Sequence, residues 1–361
     1  MTRPRTVSTA RRHSSACSIP EIMDYKKRTA KVREYLDRHG IPALLLRNPS
    51  NIFYLTGLLE IEGFLVLDGK NMTFFVPEMY CSECGDVRWR NKDVDVQTYK
   101  PDVLRKFLGR YKRAAFVESE FAYSSVNTLC KKCNLRFRPV PDFIKDMRML
   151  KDQDETELIR KALAINRKVL KKIEKSLVPS RTETGIAGEI HYLIRKYGGR
   201  REAFEPVVAS GVNSSYPHHK SRNIRIKSGQ PLVVDAGVDY CGYKSDLTYT
   251  FFPGGRPVDR RFARIYGILE EVLEKTKDFI RPGLTGKEVH GHACGILKER
   301  GMEKYFIHGL GHGVGIDVHE KPVLNSASKD VLRKGCVFTI EPGIYIPRLG
   351  GIRLEDMVLL Q

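Results

Sequence analysis

Several features that mark membrane and nucleotide-binding proteins are missing from this sequence of 361 residues. It contains no run of about 18 consecutive apolar residues, which removes the usual signal for a membrane-spanning helix. Its first half contains no phosphate-binding glycine loop, so no nucleotide site is predicted there. Apolar residues still make up 41% of the chain, a share ordinary for a globular protein. We therefore expect one large domain or two.

Acidic residues are outnumbered by basic ones, 43 against 62, which gives a formal net charge of +19. Such an excess can serve a nucleic-acid or membrane partner. Here the Lys and Arg residues are scattered along the whole chain, so we interpret the charge as a solvated basic surface. The sequence therefore predicts neither a nucleic acid nor a membrane as partner.

Residues 1–22 contain a single acid, Glu21, among several Ser, Thr and Arg residues. This composition resembles an organelle transit peptide, but it lacks a clear amphipathic pattern and a signal-peptide apolar core. Met23 directly precedes an ordinary helix start at Asp24. We therefore predict that residues 1–22 form a disordered basic tail.

The eight cysteines are spread widely along the chain. Two C-x-x-C pairs together have the ligand count of a four-cysteine zinc site, although their separation exceeds the usual ribbon spacing. These pairs are Cys81/Cys84 and Cys130/Cys133. Three other cysteines lie in apolar surroundings: Cys241, Cys294 and Cys336. The pattern favours reduced thiols in a cytoplasmic protein, with a structural zinc or a disulfide as the alternative.

The two halves of the chain differ in the pattern of their elements. From residue 23 to residue 142, amphipathic helices alternate with short apolar runs, which predicts a compact α/β domain. This half includes a helix over residues 24–39 and a hairpin over residues 63–76. From residue 146 to residue 361, helix pairs flank antiparallel strands, which predicts an α+β domain.

The segment 232–251 is the first candidate for chemistry. An apolar run is interrupted by Asp235, and a second strand-like run follows a glycine-bearing turn, so we predict a β-hairpin. With the turn centred just after Tyr240, Asp235 lies directly opposite Asp246, about 5 Å away. Two carboxylates that close repel each other unless one is protonated or a cation lies between them. A metal ion is one interpretation, and a solvent-facing Asp is the other.

Histidines cluster in two glycine- or proline-bearing segments. His308 and His312 lie in the sequence HGLGHGVG, where the glycines disfavour a helix and favour a backbone that approaches its neighbours closely. His319 follows shortly afterwards, and His218 lies in a Pro-His-His segment. An isolated histidine is most simply a hydrogen-bonded structural residue, but the clustering favours a functional role.

Two carboxylates near the C-terminal end complete the candidate set. Glu341 ends an apolar run, where a charge is costly unless it is paired or metal-bound. Glu355 lies in a strand predicted over residues 351–360, and period two places it on one face with Arg353. A salt bridge to Arg353 is therefore the alternative role for Glu355. Four carboxylates and one imidazole suit two divalent ions such as Mn(II), Co(II) or Zn(II).

The motifs in chain order are D-A-G, S-D-L-T, H-G-L-G-H-G-V-G, E-P-G and R-L-E-D. This order resembles the metallopeptidase family that includes Xaa-Pro dipeptidase (prolidase), aminopeptidase P and methionine aminopeptidase. The resemblance extends from about residue 24 to the end and implies a pita-bread catalytic domain over residues 146–361. Residues 23–142 resemble the smaller α/β domain that precedes this fold in prolidases and creatinases. R-L-E-D replaces the family's usual R-I-E-D, a mild departure.

The resemblance also implies roles for individual residues. Two metal ions, Mn(II) in preference to Co(II) or Zn(II), are expected on five ligands: Asp235, Asp246, His312, Glu341 and Glu355. Glu341 is also expected to carry the proton of the bridging water, and His308 or His319 to stabilise the tetrahedral intermediate. Substrate binding is expected at four residues: His218, His308, His319 and Arg353.

The implied function is metal-dependent hydrolysis of the Xaa-Pro bond in proline-containing peptides, by a cytoplasmic homodimer. The single compact N-terminal domain favours a dipeptidase (prolidase). Aminopeptidase P, which acts on longer peptides, is the alternative. A third alternative is a pita-bread binding protein without catalysis. Such a protein is expected to lose metal ligands, whereas all five are present here.

Overall fold

The computed structural model describes residues 23–82, 84, 91, 93–133 and 135–361. The predicted tail at residues 1–22 lies outside the described residues. Over the described ranges, no helix is both long and apolar enough to cross a membrane.

The N-terminal domain is built around a six-stranded mixed sheet. Its strands are β1 (Ala43–Leu46), β2 (Phe64–Asp68), β3 (Met72–Val76), β4 (Val94–Thr98), β5 (Arg113–Val117) and β6 (Arg136–Val140). They lie in the order β4-β3-β2-β1-β5-β6. Its described α-helices are α1 (Tyr25–Arg38), α2 (Pro49–Thr56), α3 (Pro101–Leu108) and α4 (Tyr123–Cys133). The predicted alternation is present, and β2 and β3 form the predicted first hairpin.

Helix α2 is an element that the sequence patterns above do not predict. The side chain of Asn48 caps it by accepting hydrogen bonds from the backbone N–H groups of Ser50 and Asn51, at 2.8 and 3.2 Å. Proline occupies its first turn, where a missing N–H costs nothing. Phe53 of α2 contacts Tyr243 of the C-terminal domain, with ring centroids 6.0 Å apart. This helix therefore lies at the contact between the two domains.

The C-terminal domain combines helix pairs with antiparallel strands, as predicted. Its helices are α5 (Phe143–Arg148), α6 (Gln153–Ser176), α7 (Glu183–Lys196), α8 (Arg260–Phe279) and α9 (Gly286–Glu299). Capping boxes begin α6, at Asp152 and Glu155, and α9, at Thr285 and Glu288. The first part of the strand set is β7 (Arg201–Glu202), β8 (Val207–Ser210), β9 (Leu232–Tyr240) and β10 (Tyr243–Phe251). The second part is β11 (Gly311–Gly313), β12 (Glu320–Leu324), β13 (Val337–Ile340), β14 (Gly343–Ile346), β15 (Gly350–Arg353) and β16 (Asp356–Leu359).

These strands form three described sheets that surround the candidate site. In the first sheet, β9 lies between β10 and β7 and also pairs with β8. The second sheet has the order β12-β11-β13-β16, and β14 pairs with β15 alone. Chain segments far apart in sequence are thereby brought to adjoining sheet edges.

One cluster of buried apolar side chains extends across both domains. It includes Phe53 of α2, Leu158 of α6 and Tyr243 of β10, which are 2%, 1% and 0% exposed. A second cluster lies between α8, α9 and the strands that follow them. Because the first cluster is shared, the N-terminal domain packs directly against the sheet that carries the candidate carboxylates.

Strands β9 and β10 form the predicted second hairpin, but the predicted register is wrong. The turn residues are Cys241 and Gly242, with φ of 53° and 85°, and a two-residue type I′ turn requires positive φ at both positions. Asp235 therefore pairs with Thr248 rather than with Asp246. The error is two residues, and a two-residue shift keeps side chains on the same face of the sheet. The two aspartates remain diagonal neighbours.

The predicted last strand is in fact two strands, β15 and β16, with different partners. Leu354 and Glu355 lie between them. Their backbone N–H groups donate to the carbonyl oxygens of Pro342 (3.2 Å) and Thr248 (3.0 Å). The two-residue period of a strand does not extend across this break, so it does not place Arg353 and Glu355 on one face as predicted.

Six described cysteines are free thiols: Cys81, Cys84, Cys130, Cys133, Cys294 and Cys336. Cys241, expected as a reduced thiol, is disulfide-bonded instead. Over the described part of the chain, metal-ligand atoms of His, Cys, Asp and Glu converge in groups of three or more only at Asp246, His312 and Glu355. This group contains no cysteine, so the arrangement gives no support to a four-cysteine zinc site.

Candidate metal centre

The hairpin presents two aspartates to one side of its sheet. Asp246 is 5% exposed and Asp235 is half-buried. In both residues the Oδ1 atom is buried without a hydrogen-bond partner. A buried carboxylate oxygen without a partner is costly, which indicates that these two oxygen atoms are placed to bind a ligand.

Glu355 reaches the same place from the break between β15 and β16. Its Oε2 accepts a hydrogen bond of 2.7 Å from Oγ1 of Thr248, which fixes the orientation of the carboxylate. Its Oε1 is buried and has no partner. Arg353, the predicted salt-bridge alternative for Glu355, instead pairs with Asp235 at 2.6 Å.

His312 is held on β11 by close backbone packing. A Cβ atom added to Gly311 or Gly313 would lie only 2.1 Å from the carbonyl oxygen of Thr339 or Lys321, respectively. Glycine is therefore required on both sides of His312, as the sequence pattern predicts. The Nε2 atom of His312 lies 3.7 Å from Oδ2 of Asp246 and 3.4 Å from Oε1 of Glu341.

The ligand atoms of Asp246, His312 and Glu355 all lie within 4.8 Å of one another. Glu341, at the end of β13, joins this group through its contact with His312. Asp235 lies on the same hairpin face as Asp246. The structure thus brings together all five side chains that are predicted as ligands.

The electrostatics of the group favour a bound cation. Burial, and then the charges of neighbouring carboxylates, raise the pKa of Asp246 and of Glu355 well above their ordinary values. Burial also raises the pKa of Glu341 to about 8, with Asp235 adding to the shift against the opposing charge of Arg353. Carboxylates crowded in this way are stabilised in their charged form by a divalent ion, and oxygen-rich sets suit hard divalent ions. The donor set and its partnerless oxygens therefore fit a divalent metal.

Arg353 is a buried cation that organises one side of the group. Its guanidinium donates to Asp235 (2.6 Å), to Oγ1 of Thr248 (3.0 Å) and to the hydroxyl of Tyr345 (3.0 Å). It also donates to the carbonyl oxygen of Pro217, at 3.1 Å. Arg353 thus links the hairpin to the segment that carries His218.

His308 has partners on both ring nitrogens. Nδ1 lies 2.7 Å from the carbonyl oxygen of Gly309 and Nε2 lies 3.0 Å from the hydroxyl of Tyr345. Burial lowers the pKa of His308 to about 4, so the ring is neutral near pH 7. Because a carbonyl can only accept, Nδ1 carries the proton and Nε2 accepts from Tyr345.

His319 and His218 complete the rim of the group. The ring of His319 packs edge-on against His312, with centroids 4.2 Å apart, and burial lowers the pKa of His319. His218 is exposed, and its charge contributes to the lowered pKa values of both His308 and His319. His308 and His319 therefore both lie within electrostatic range of His218.

Sequence reasoning missed three residues that orient this group: Thr248, Tyr345 and Glu183. Thr248 had a usable signal, because it lies two positions after Asp246 in a strand and so shares its face. Glu183, which is fully buried, accepts from the backbone N–H of Arg222 (2.9 Å) and pairs with His219 (2.8 Å). It thereby anchors the segment that carries His218, and nothing in the local sequence marks it or Tyr345.

Comparison with known proteins assigns two ranges of the chain to families. Residues 157–361 match metallopeptidase family M24, and residues 28–150 match the creatinase/prolidase N-terminal domain. The chain belongs to metallopeptidase family M24. The Xaa-Pro dipeptidase of Pyrococcus horikoshii is 35% identical over 343 residues, which span 94% of this chain and 95% of that protein.

Two further comparisons agree. A putative Xaa-Pro aminopeptidase of Mycoplasma pneumoniae is 31% identical over 340 residues, spanning 94% of this chain and 95% of that protein. The solved structure of the prolidase from Pyrococcus horikoshii OT3 matches with a TM-score of 0.86 at 34% identity, covering 93% of this chain and 95% of that one. The predicted family and fold are thus confirmed: a pita-bread M24 catalytic domain preceded by a creatinase-type domain. This M24 chain is a metallopeptidase with divalent metal as its cofactor.

Proposed function

We propose that this M24 peptidase is an Xaa-Pro dipeptidase that hydrolyses the bond before proline with two divalent ions, Mn(II) in the first place. The observation that carries the proposal is the convergence of Asp246, His312 and Glu355 within 4.8 Å in a chain 35% identical to a protein named Xaa-Pro dipeptidase. The proposed ligands are Asp235, Asp246, His312, Glu341 and Glu355.

Divalent ions held by these residues would supply a water ionised near neutral pH and a polarised scissile carbonyl. The protein's own groups then move the proton. Glu341 faces His312 at 3.4 Å, and we assign it the role of taking the proton of the attacking water and delivering it to the leaving proline nitrogen. Substrate is held by His218, His308, His319 and Arg353.

The tautomer of His308 favours one of the two candidate oxyanion donors. Neutral His308 uses Nδ1–H on Gly309 and receives a hydrogen bond from Tyr345 at Nε2, so it has no free N–H to offer. Among the described residues, none hydrogen-bonds to the ring of His319. We therefore assign the developing oxyanion to His319 and a role in shaping the substrate site to His308.

A second candidate function is Xaa-Pro aminopeptidase activity on longer peptides. It is favoured by the 31% identity to a putative Xaa-Pro aminopeptidase over 94% of this chain. The two activities differ in whether the site accepts a residue after proline.

The experiment is a measurement of free products from matched Xaa-Pro and Xaa-Pro-Yaa peptides, with and without added Mn(II) or Co(II). Release of proline from Xaa-Pro alone is expected. Release of Xaa from Xaa-Pro-Yaa at a comparable kcat/KM would favour the aminopeptidase instead. Absence of metal-dependent cleavage in every peptide would overturn both and leave a binding protein.

Two further proposals concern the setting of the enzyme. We propose a cytoplasmic location, because six of the seven described cysteines are free thiols and one, Cys241, is disulfide-bonded. We also propose a homodimer, on the resemblance to prolidases. Sedimentation of the purified chain at micromolar concentration tests the dimer, and a single monomeric species would contradict it.

A further inference from the structure

The loop of residues 314–319 joins β11 to β12 and carries His319. One carboxylate lies on each side of that histidine in the chain: Asp317 within the loop and Glu320 at the start of β12. Neither is a proposed metal ligand, yet Glu320 is only 7% exposed. A buried carboxylate needs a partner, so the partners of these two residues show what holds the loop.

Arg148, at the end of α5, is the partner of both carboxylates. One of its amino groups, Nη2, lies 2.5 Å from Oδ2 of Asp317 and 2.7 Å from Oε2 of Glu320. The Arg148 side chain is 1% exposed. A second cation, Lys151, lies 2.6 Å from Oε1 of Glu320. Two cations therefore face two carboxylates, and removal of one member would leave a buried charge unmatched.

The N-terminal domain enters this network through the first turn of α2. The hydroxyl of Ser50 donates to Oδ1 of Asp317 at 2.6 Å. The side-chain oxygen of Asn51 accepts from Nη1 of Arg148 at 2.9 Å, and Asn51 is 0% exposed. Asp317 thus has two partners: the hydroxyl of Ser50, which belongs to the N-terminal domain, and the guanidinium of Arg148, which Asn51 of the same domain orients.

The opposite edge of the loop is held by the hairpin. The backbone N–H of Lys244 donates to the carbonyl oxygen of Gly315 at 2.8 Å. The Lys244 ammonium also donates to the carbonyl oxygen of Ile316. The side that bears Asp317 receives its hydrogen bond from the N-terminal domain, and Asp317 lies two residues from His319.

We propose that Ser50 and Asn51 of the N-terminal domain are positioning residues for His319, acting through Asp317 and Arg148. This inference rests on the proposed function, because it assigns His319 to the developing oxyanion. It gives the N-terminal domain a direct part in the reaction: its α2 helix sets the distance between His319 and the metal-binding carboxylates.

The test uses the full-length, metal-loaded protein with Ser50→Ala, Ser50→Thr and a control at Glu60. Ser50 is half-buried, so Ala removes the hydroxyl with little repacking, and Thr restores it. Glu60 also bridges the domains, 2.7 Å from Arg200, without contacting residues 314–320. We expect Ser50→Ala to lower kcat by about tenfold, as for a lost hydrogen bond to a charged group, with KM and bound metal nearly unchanged. Ser50→Thr and Glu60→Gln should stay near wild type.

A second measurement follows the loop without relying on peptidase activity. Amide hydrogen exchange of a peptide that spans residues 314–319 should be faster in Ser50→Ala than in wild type, Ser50→Thr or Glu60→Gln. If the wild-type protein cleaves no Xaa-Pro peptide, the proposed function is refuted. The exchange measurement would still test whether the contact between the domains holds the loop.

Three results would overturn the inference. The first is unchanged exchange in Ser50→Ala, whatever the rate. The second is faster exchange with an unchanged kcat in an enzyme that cleaves Xaa-Pro peptides. The third is an equal loss of kcat in Glu60→Gln, which would show that any weakened domain contact has the same effect.

Discussion

Substitution of Glu341 by Gln separates a proton-transfer role from a metal-binding role. Gln keeps one oxygen ligand and nearly the same shape, but it cannot act as a base near neutral pH. The backbone of Glu341 is fixed by an N–H donated to Leu310 at 2.8 Å, so the new side chain should occupy the same place, 3.4 Å from His312. Any loss that persists with metal bound therefore reports on the proton.

The expected loss follows from general acid–base catalysis, which is worth about 10²–10⁴-fold in rate. At 1.36 kcal/mol for each factor of ten, this corresponds to about 3–5 kcal/mol of activation free energy. We expect the loss to fall on kcat, because the proposed substrate contacts lie with other residues: His218, His308, His319 and Arg353. A small change in KM is therefore expected.

The assay measures kcat and KM for an Xaa-Pro dipeptide at increasing Mn(II), together with bound metal by elemental analysis. The matched control is Glu355→Gln. Glu355 is also a proposed ligand, but its Oε2 already accepts a hydrogen bond from Thr248 at 2.7 Å, and no proton transfer is assigned to it. Excess Mn(II) should restore much of the rate in Glu355→Gln and little in Glu341→Gln.

Recovery of near wild-type kcat in Glu341→Gln at saturating Mn(II) would refute the proton-transfer role and leave Glu341 as a plain ligand. An equal loss in both variants, with two metals still bound in each, would point instead to disturbed metal geometry. A proton-transfer role for Glu341 therefore requires that the two glutamates respond differently to substitution.

Three shorter predictions complete the set. Asp246→Ala should abolish activity and reduce bound metal, and elemental analysis that finds two metals per chain would contradict the ligand assignment. Burial lowers the pKa of His308 to about 4, so its neutral ring stabilises the metal-free fold fully above about pH 6.5 and progressively less as pH falls toward 4. His308→Gln should therefore flatten the fall in Tm on the acid side, measured by calorimetry; an unchanged slope would show that another group controls it. Deletion of residues 1–22 should leave kcat/KM and Tm nearly unchanged when both proteins are compared under reducing conditions, so that the disulfide of Cys241 is open in each; a large drop in either would show that the segment docks on the fold.

Residue type and local pattern were enough to predict much of the candidate site. Asp235 interrupts a strand-like run, Asp246 directly precedes one and Glu341 ends one, so each placed a charge where burial demands a partner. The glycines around His312 likewise demanded close backbone packing, which the structure shows at Gly311 and Gly313. These signals are local, and they survive errors in register.

The details that failed depend on geometry that the sequence does not display. The hairpin register depends on a positive φ of 53° at Cys241. A positive φ is uncommon for a residue other than glycine, so the sequence does not predict it there. The break between β15 and β16 arises because their strands pair in different sheets. Arg353 accordingly pairs with Asp235, 118 positions away in the chain, and not with its near neighbour Glu355.

Helix α2 shows why orienting residues are harder to find than reacting ones. Its start had local signals, the cap at Asn48 and a proline in the first turn, and it could have been predicted. Its consequence could not, because the Ser50 hydroxyl meets Asp317 across 267 positions of sequence. A carboxylate or an imidazole is a candidate functional group at any position in a sequence, whereas the role of a serine hydroxyl depends on the residues that it contacts. The contribution of the N-terminal domain to His319 is therefore visible only once both domains are folded against each other.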